Sequence, residues 1–228
     1  MSDTQLLDNV IWHTLTGAHA AYAQGAGPVR RYAQGFSPML GFADPTQPAW
    51  GELAPYCTEG EHLYCGGWSG PAPQGWAIEA ESTMFQMVWQ GGEAPPADPA
   101  FTFARLQSEH APQALELATL TRPGPFGLRT PELGEYVGCF EEGRLIAMAG
   151  ERLQAGRFRE VSGVCTHPDY QGRGLARRLM NHLIRRQLQR GEIPFLHVMR
   201  DNVGAHGLYA RMGFRDNRES VVRVVIPN

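Results

Sequence analysis

The feature that most constrains this chain is Gln171-Gly172-Arg173-Gly174-Leu175-Ala176, a glycine turn between an apolar, strand-like run and an amphipathic stretch rich in arginine. A helix that begins directly after such a turn points several unpaired backbone N–H groups at one spot and adds the positive end of its dipole. Gly172 and Gly174 carry no Cβ, so an oxygen can approach the backbone closely, and small Ala176 keeps the next turn clear. Arg173, Arg177 and Arg178 stand beside the turn and can meet further phosphates. The Rossmann fingerprint needs a third glycine and an acidic residue about 20 positions on, and the P-loop needs Gly-Lys-Ser/Thr; neither is present. Two readings stay open on these six residues alone: an anion cradle, or a turn that caps a surface helix with solvated arginines.

The surrounding periodicity predicts alternating strands and helices. Gly172 to Arg190 reads as a helix with Leu175, Leu179, Leu183, Met180, Ile184 and Leu188 on one face, stopped by Gly191. Before it, 135–154 reads as a hairpin turning at Glu141-Glu142-Gly143, and 157–166 as a third strand. After it come a strand at 194–199, a helix at 202–212 and a strand at 221–226. A shorter helix is expected over 106–120, and strands at 61–68 and 83–90. The Gly91–Pro99 stretch, GGEAPPADP, excludes helix and central strand and reads as a linker. This divides the chain into an N-terminal lobe, 1–95, without a readable motif, and a domain over 100–228. The pattern is that of an α+β or α/β sheet.

A net charge of -3 gives no global field for nucleic acid or an anionic membrane, so an anion site must be local. The acidic amino terminus does not resemble a signal peptide, and no run approaches the roughly 18 apolar residues of a membrane span. A cytoplasmic protein without nucleic-acid or membrane partners is expected. Four scattered cysteines read as reduced thiols. Cys57, His62 and Cys65 have the spacing of half a zinc site, without the usual four ligands, so no metal is expected.

QGRGLA fits the GNAT superfamily pattern of Gln/Arg, two residues, Gly, one residue, Gly/Ala, and lies, as in that family, between a strand and a helix. Downstream, NVGAHGLYARMGF from Asn202 to Phe214 is similar to the second GNAT signature. The chain therefore resembles GNAT N-acetyltransferases, firmly over 134–214, and the texts GRLIAMAGERL and EVSGVCTHPDYQ resemble the glycine-N-acyltransferase-like branch. The resemblance implies a mixed central sheet flanked by helices, with a V-shaped splay between two parallel strands, preceded by the smaller lobe as a degenerate relative or a cap. It implies acetyl-CoA as acyl donor, its arm along Val164, Cys165 and Thr166, and its pyrophosphate at Gln171, Gly172, Arg173, Gly174, Leu175, Ala176 and Arg177. Asn202 matches the position that contacts the arm, and Tyr209 the tyrosine that protonates the leaving thiolate.

An amine attacks a thioester only when unprotonated, so a base or water relay, an oxyanion donor and an acid for the sulfur are needed. Glu160, eleven residues before Gln171, matches the catalytic glutamate of the histone acetyltransferase branch, and strand alternation puts Ser162, Val164 and Thr166 on its face. Glu151, His167 and water are the competing bases. An acyl-Cys165 route lacks a histidine partner, and Ser162, His167 and Asp169 are too close in sequence, with no nucleophile elbow, for a hydrolase triad. The expected activity is acetyl or short-acyl transfer to a primary amine of a small molecule or amino acid; the alternative is a non-catalytic acyl-CoA sensor. A homodimer is compatible with the family, and the acceptor pocket is expected from 122–133, the hairpin and the first lobe.

Overall fold

The computed structural model describes residues 3–228. A small antiparallel sheet, β1 (Ala23–Gln24), β2 (Val29–Tyr32) and β3 (Leu40–Phe42), lies in the N-terminal part. The main sheet holds β4 (Leu63–Gly66), β5 (Trp76–Trp89), β6 (Ala104–Arg105), β7 (Tyr136–Glu141), β8 (Arg144–Ala155), β9 (Phe158–Thr166), β10 (Ile193–Met199) and β11 (Phe214–Pro227). Their order is β4-β11-β5-β10-β9-β8-β7-β6. β9 and β10 run parallel and the other neighbours antiparallel. The mixed sheet expected from the family resemblance is thus present.

Strands from both sides of Gly91–Pro99 share this sheet: β5 pairs with β10 on one edge and with β11 on the other. The glycine-proline stretch is a loop, but backbone hydrogen bonding is continuous around it. β11 is also longer than the 221–226 strand expected from its sequence. Its first half carries Arg215, Asp216, Arg218 and Glu219, which hide the period of two, and it is held instead by its ladder with β5.

Helices α1 (Val10–Thr16), α2 (Trp50–Leu53), α3 (Ala111–Thr121), α4 (Leu175–Gln189) and α5 (Val203–Met212) complete the fold. α3 starts later than expected because Pro112 sits in its first turn, preceded by a 3-10 turn at Ser108–His110. The predicted apolar face of α4 is the buried one: Leu179, Met180, Leu183 and Ile184 are fully buried, packed on Ala147, Ala149 and Val161 together with Leu196, Val198 and Tyr209. The opposite face of the sheet takes α3 against Tyr136, Met148 and Cys165, and the N-terminal segment, with Leu7, Val10 and Tyr32, against Leu153, Phe158 and Phe195. The hairpin between β7 and β8 turns at Glu142 and Gly143, both at positive φ (50° and 79°), as a two-residue turn with the strands' twist requires.

Gly150 on β8 sits under the buried Tyr136 ring, and a Cβ there would overlap the ring atoms. Gly150→Ala is expected to lower stability by about 1–3 kcal/mol through overpacking. Urea unfolding checks this; a midpoint equal to that of the parent chain would mean the ring yields freely.

Candidate active site

The turn before α4 has the features of an anion cradle. Gly172 and Gly174 lie at φ 77° and 73°, a region that side-chain-bearing residues rarely adopt, and the space where their Cβ atoms would stand is open. Gly174 is the N-cap of α4 and no side chain caps the helix, so its first N–H groups have no side-chain partner. Gln171, Arg173 and Arg177 are exposed around the turn, and Leu175 and Ala176 half-buried. Arg173 pairs with Glu141 at 3.2 Å, and Arg178 with Asp98 at 2.8 Å. Among the described residues Arg177 forms no ion pair, which leaves its guanidinium for an anion. The glycine-proline stretch takes part here: 96–99 lines the hollow beside Arg177 and Asn181.

The ladder between β9 and β10 covers only Phe158–Glu160 against Ile193–Phe195. Beyond Glu160 and Phe195 the parallel strands splay, which leaves the β9 edge from Val161 to Thr166 without a β10 partner. β9 also carries an extra residue: Cys165 pairs with Met148 but Ser162 with Gly150, and Gly163 is at φ 61°. A bulge of one residue reverses the side-chain parity. Val164 therefore returns to the α4 face with Val161, while Cys165 turns to α3. The simple alternation expected for Glu160, Ser162, Val164 and Thr166 is corrected on this point. Cys165 is buried, and burial pushes its thiol up to about 11, so it is no nucleophile near neutral pH.

A cavity of about 350 Å³ opens at the splay. β9 and β10 supply Ser162, Gly163, Val164 and His197; Tyr209 and Asn202 reach it from α5. The roof comes from the N-terminal half, at 7–11 and 39–42, and from Pro123–Pro125. Its charged lining side chains are already paired: Asp8 with Arg218 at 3.1 Å, Arg223 with Glu81, and Arg152 with Glu160 at 2.9 Å. Apolar side chains such as Ile11, Met39, Phe42 and Met84 form much of the remainder.

Tyr209 is only 9% exposed, and its hydroxyl forms no hydrogen bond within the protein among the described residues. Burial, with the nearby Cys165 thiol adding to it, pushes the phenol up to about 12. Asn202 caps α5 through its Oδ1, which accepts from the Ala205 N–H at 3.1 Å, so its amide nitrogen is the atom left for the cavity.

The expected base is revised. Glu160 is 1% exposed; it accepts from Arg152 Nε and Nη2, both at 2.9 Å, and contacts His197 Nδ1 at 2.7 Å. Burial alone would raise its pKa, but Arg152 and His197 outweigh that and lower it to about 2, so it stands as a carboxylate committed to its partners. Glu151 is equally committed, to Arg190, to Gln187 Nε2 at 3.1 Å and to the Glu135 N–H at 3.3 Å. His167 engages the Asp169 N–H at 3.3 Å and Arg144 at 2.9 Å. None of the three lines the cavity. Gln86, Arg152 and His197 do, and sequence reading missed them. The available signals were His197 and Gln86, each a polar residue within an apolar run, PFLHVM and MFQMVW. Among the described residues no group of three or more His, Cys, Asp or Glu converges as a metal site. His62 pairs with Glu79 at the surface at 2.7 Å while Cys65 lies in the core.

Known proteins resemble this chain in sequence and fold. The Mycobacterium tuberculosis N-alpha-acetyltransferase RimI is 40% identical over 83 residues, which is 35% of this chain, and the chain spans about half (51%) of that relative's length. A GNAT-family structure from Novosphingobium aromaticivorans is 31% identical with a TM-score of 0.85, covering 97% of this chain and 98% of that one. A GCN5-related N-acetyltransferase from Kribbella flavida shares the fold, with a TM-score of 0.61 at 16% identity over 96% of each chain. The sequence model of the Acetyltransferase (GNAT) family matches residues 99–214. A match that takes in the cradle, the splayed strands and the second helix together, beside end-to-end likeness to the Novosphingobium structure, makes this chain a member of the GNAT acetyltransferase family.

Proposed function

We propose that this chain transfers an acetyl group from acetyl-CoA to the primary amine of a small, predominantly apolar molecule held in the cavity under the N-terminal half. The observation that carries the reading is the cavity wall, where each charged side chain already has its counter-ion inside the protein. An acceptor with a free carboxylate meets no unpaired cation there among the described residues, and taking Arg152 for itself would leave Glu160 buried without its counter-ion. An uncharged body beside the amine fits without that cost. The likeness to RimI suggests a protein N-terminus as the other acceptor, but 83 residues cannot reach from the cradle at Gln171 to the roof at Phe42. The cavity roof favours the small molecule.

In this reading the diphosphate sits on the N–H groups of Gly172 to Ala176 with Gln171, Arg173 and Arg177 around it. The pantetheine arm follows the free β9 edge at Val164, Cys165 and Thr166 toward Asn202. The amine attacks the thioester carbonyl carbon, the C–N bond forms, and the C–S bonding pair leaves on sulfur. Tyr209 gives that sulfur its proton.

The test is thiol release from acetyl-CoA with three sets of acceptors: apolar arylalkylamines and alkylamines, free amino acids, and peptides with a free N-terminus. Turnover concentrated in the first set is expected. Preference for peptides would replace the acceptor class, and tight acetyl-CoA binding without release in any set would leave a binding module. Arg177→Glu is expected to weaken acetyl-CoA binding about tenfold, the size of one charge-assisted contact, in calorimetric titrations. Unchanged affinity would place the phosphates elsewhere.

A further inference from the structure

His197 lies on the face of β10 shared with Phe195, which packs on the N-terminal segment, whereas Leu196 and Val198 face α4 and α5. It therefore stands on the acceptor side of the splay, and Tyr209 of α5 stands on the other. Its two ring nitrogens are distinguished by their partners. Gln86 Nε2 donates to the Leu7 carbonyl at 3.1 Å, and Gln86 Oε1 accepts from Asn217 Nδ2 at 2.9 Å, so both contacts agree on which end of the amide is the NH2 group. That same NH2 group reaches His197 Nε2 at 3.3 Å, which makes Nε2 an acceptor. The ring proton is then on Nδ1, donated to Glu160 Oε1 at 2.7 Å. Glu160 is in turn held by both nitrogens of the Arg152 fork, so its charge is already balanced without a second cation on the imidazole.

Resting on the acetyl-transfer reading above, we infer that His197 Nε2 is the proton acceptor for the incoming amine, with Gln86 and Glu160 fixing the neutral tautomer that leaves this lone pair on the cavity side. The Gln86 contact, at 3.3 Å, is long and yields to an N–H of the incoming neutral amine, which becomes a stronger donor as the C–N bond forms. The step balances. The amine nitrogen loses one proton to His197 Nε2 as its lone pair forms the C–N bond. The C–S pair leaves on sulfur, which takes the Tyr209 proton. The products are an N-acetyl amide and the free thiol of coenzyme A; the imidazolium then returns its proton to water and Tyr209 recovers one.

The groups that face this imidazole are Glu160 from β9, Gln86 from β5, the Phe195 ring from its own strand and, through Glu160, Arg152 from β8.

Two measurements on the full chain test this. In long-range proton–nitrogen NMR spectra of protein labelled with 15N-histidine, with His197→Gln used to assign the signals, His197 near neutral pH should carry its proton on Nδ1. With the best amine of the panel, His197→Gln should lower kcat/KM about 10²-fold, with acetyl-CoA affinity retained. His197→Asn serves if the glutamine variant does not fold. A proton found on Nε2, or a variant that keeps the rate, overturns the inference. If no amine is acetylated, the acceptor reading is what falls, and the nitrogen spectrum still decides the tautomer on which His197's role depends.

Discussion

Tyr209→Phe is expected to lower kcat for acetyl transfer about 10²–10³-fold while acetyl-CoA affinity stays in place. The ring itself is a packing element: it lies among the residues that join α4 and α5 to the sheet and meets Phe214 edge-on at 6.3 Å. Phenylalanine keeps that contact and removes only the hydroxyl, which has no hydrogen-bond partner within the protein among the described residues. Because burial pushes the phenol up to about 12, the proton is on the oxygen at any working pH, as the proposed role toward the departing sulfur requires. Steady-state rates paired with calorimetric acetyl-CoA titrations separate the two effects. A kcat equal to that of the parent chain would remove Tyr209 from the mechanism.

Arg152→Met is expected to destabilise the fold by about 3–5 kcal/mol, because it leaves the Glu160 carboxylate buried without its bidentate partner. For a chain of this length that corresponds to a melting temperature lower by roughly 10 °C. The pH dependence has a definite sign. In the parent chain Glu160 has a folded pKa of about 2 against an ordinary value of 4.5. Its contribution to stability is complete above about pH 4.5 and is lost as the pH falls toward 2. In the variant the largest lowering influence is gone and burial raises the carboxyl instead. The deficit relative to the parent chain should therefore be widest near neutral pH and narrow on acidification, as Glu160 takes up a proton. Thermal melts of both proteins across that range measure it; a deficit constant with pH would mean that the carboxylate is compensated elsewhere.

The two predictions touch residues that differed in legibility. Tyr209 was visible because its neighbours Asn202, Ala205, Leu208, Gly213 and Phe214 lie within one short segment, and local spacing is what a linear text preserves. The apolar face of α4 was visible for the same reason. The pairing of Arg152 with Glu160 was not, because it joins adjacent antiparallel strands in a register shifted by irregularities between Glu151 and Gln154. Glu160 matched a family position for a base, yet its environment decided its chemistry: a carboxylate clamped by a buried guanidinium is a structural anion, whatever its place in a motif. The bulge at Gly163 likewise exchanged the faces of Val164 and Cys165, which strict alternation had reversed.

By itself, the sequence determined the cradle, the helix behind it, the second helix with its tyrosine, and hence the family. Each depends on the residues of a few consecutive turns, where glycine φ angles and a 3.6-residue period act directly on the backbone. Only the tertiary structure decided that β5, from the far side of a glycine-proline stretch, pairs with both β10 and β11, that Leu7 and Phe42 help roof the cavity, and that His197 shares one network with Gln86 and Glu160. Those contacts link segments many residues apart. They are selected by burial and by the requirement that each buried polar group find a partner, conditions that exist only once the chain has closed on itself.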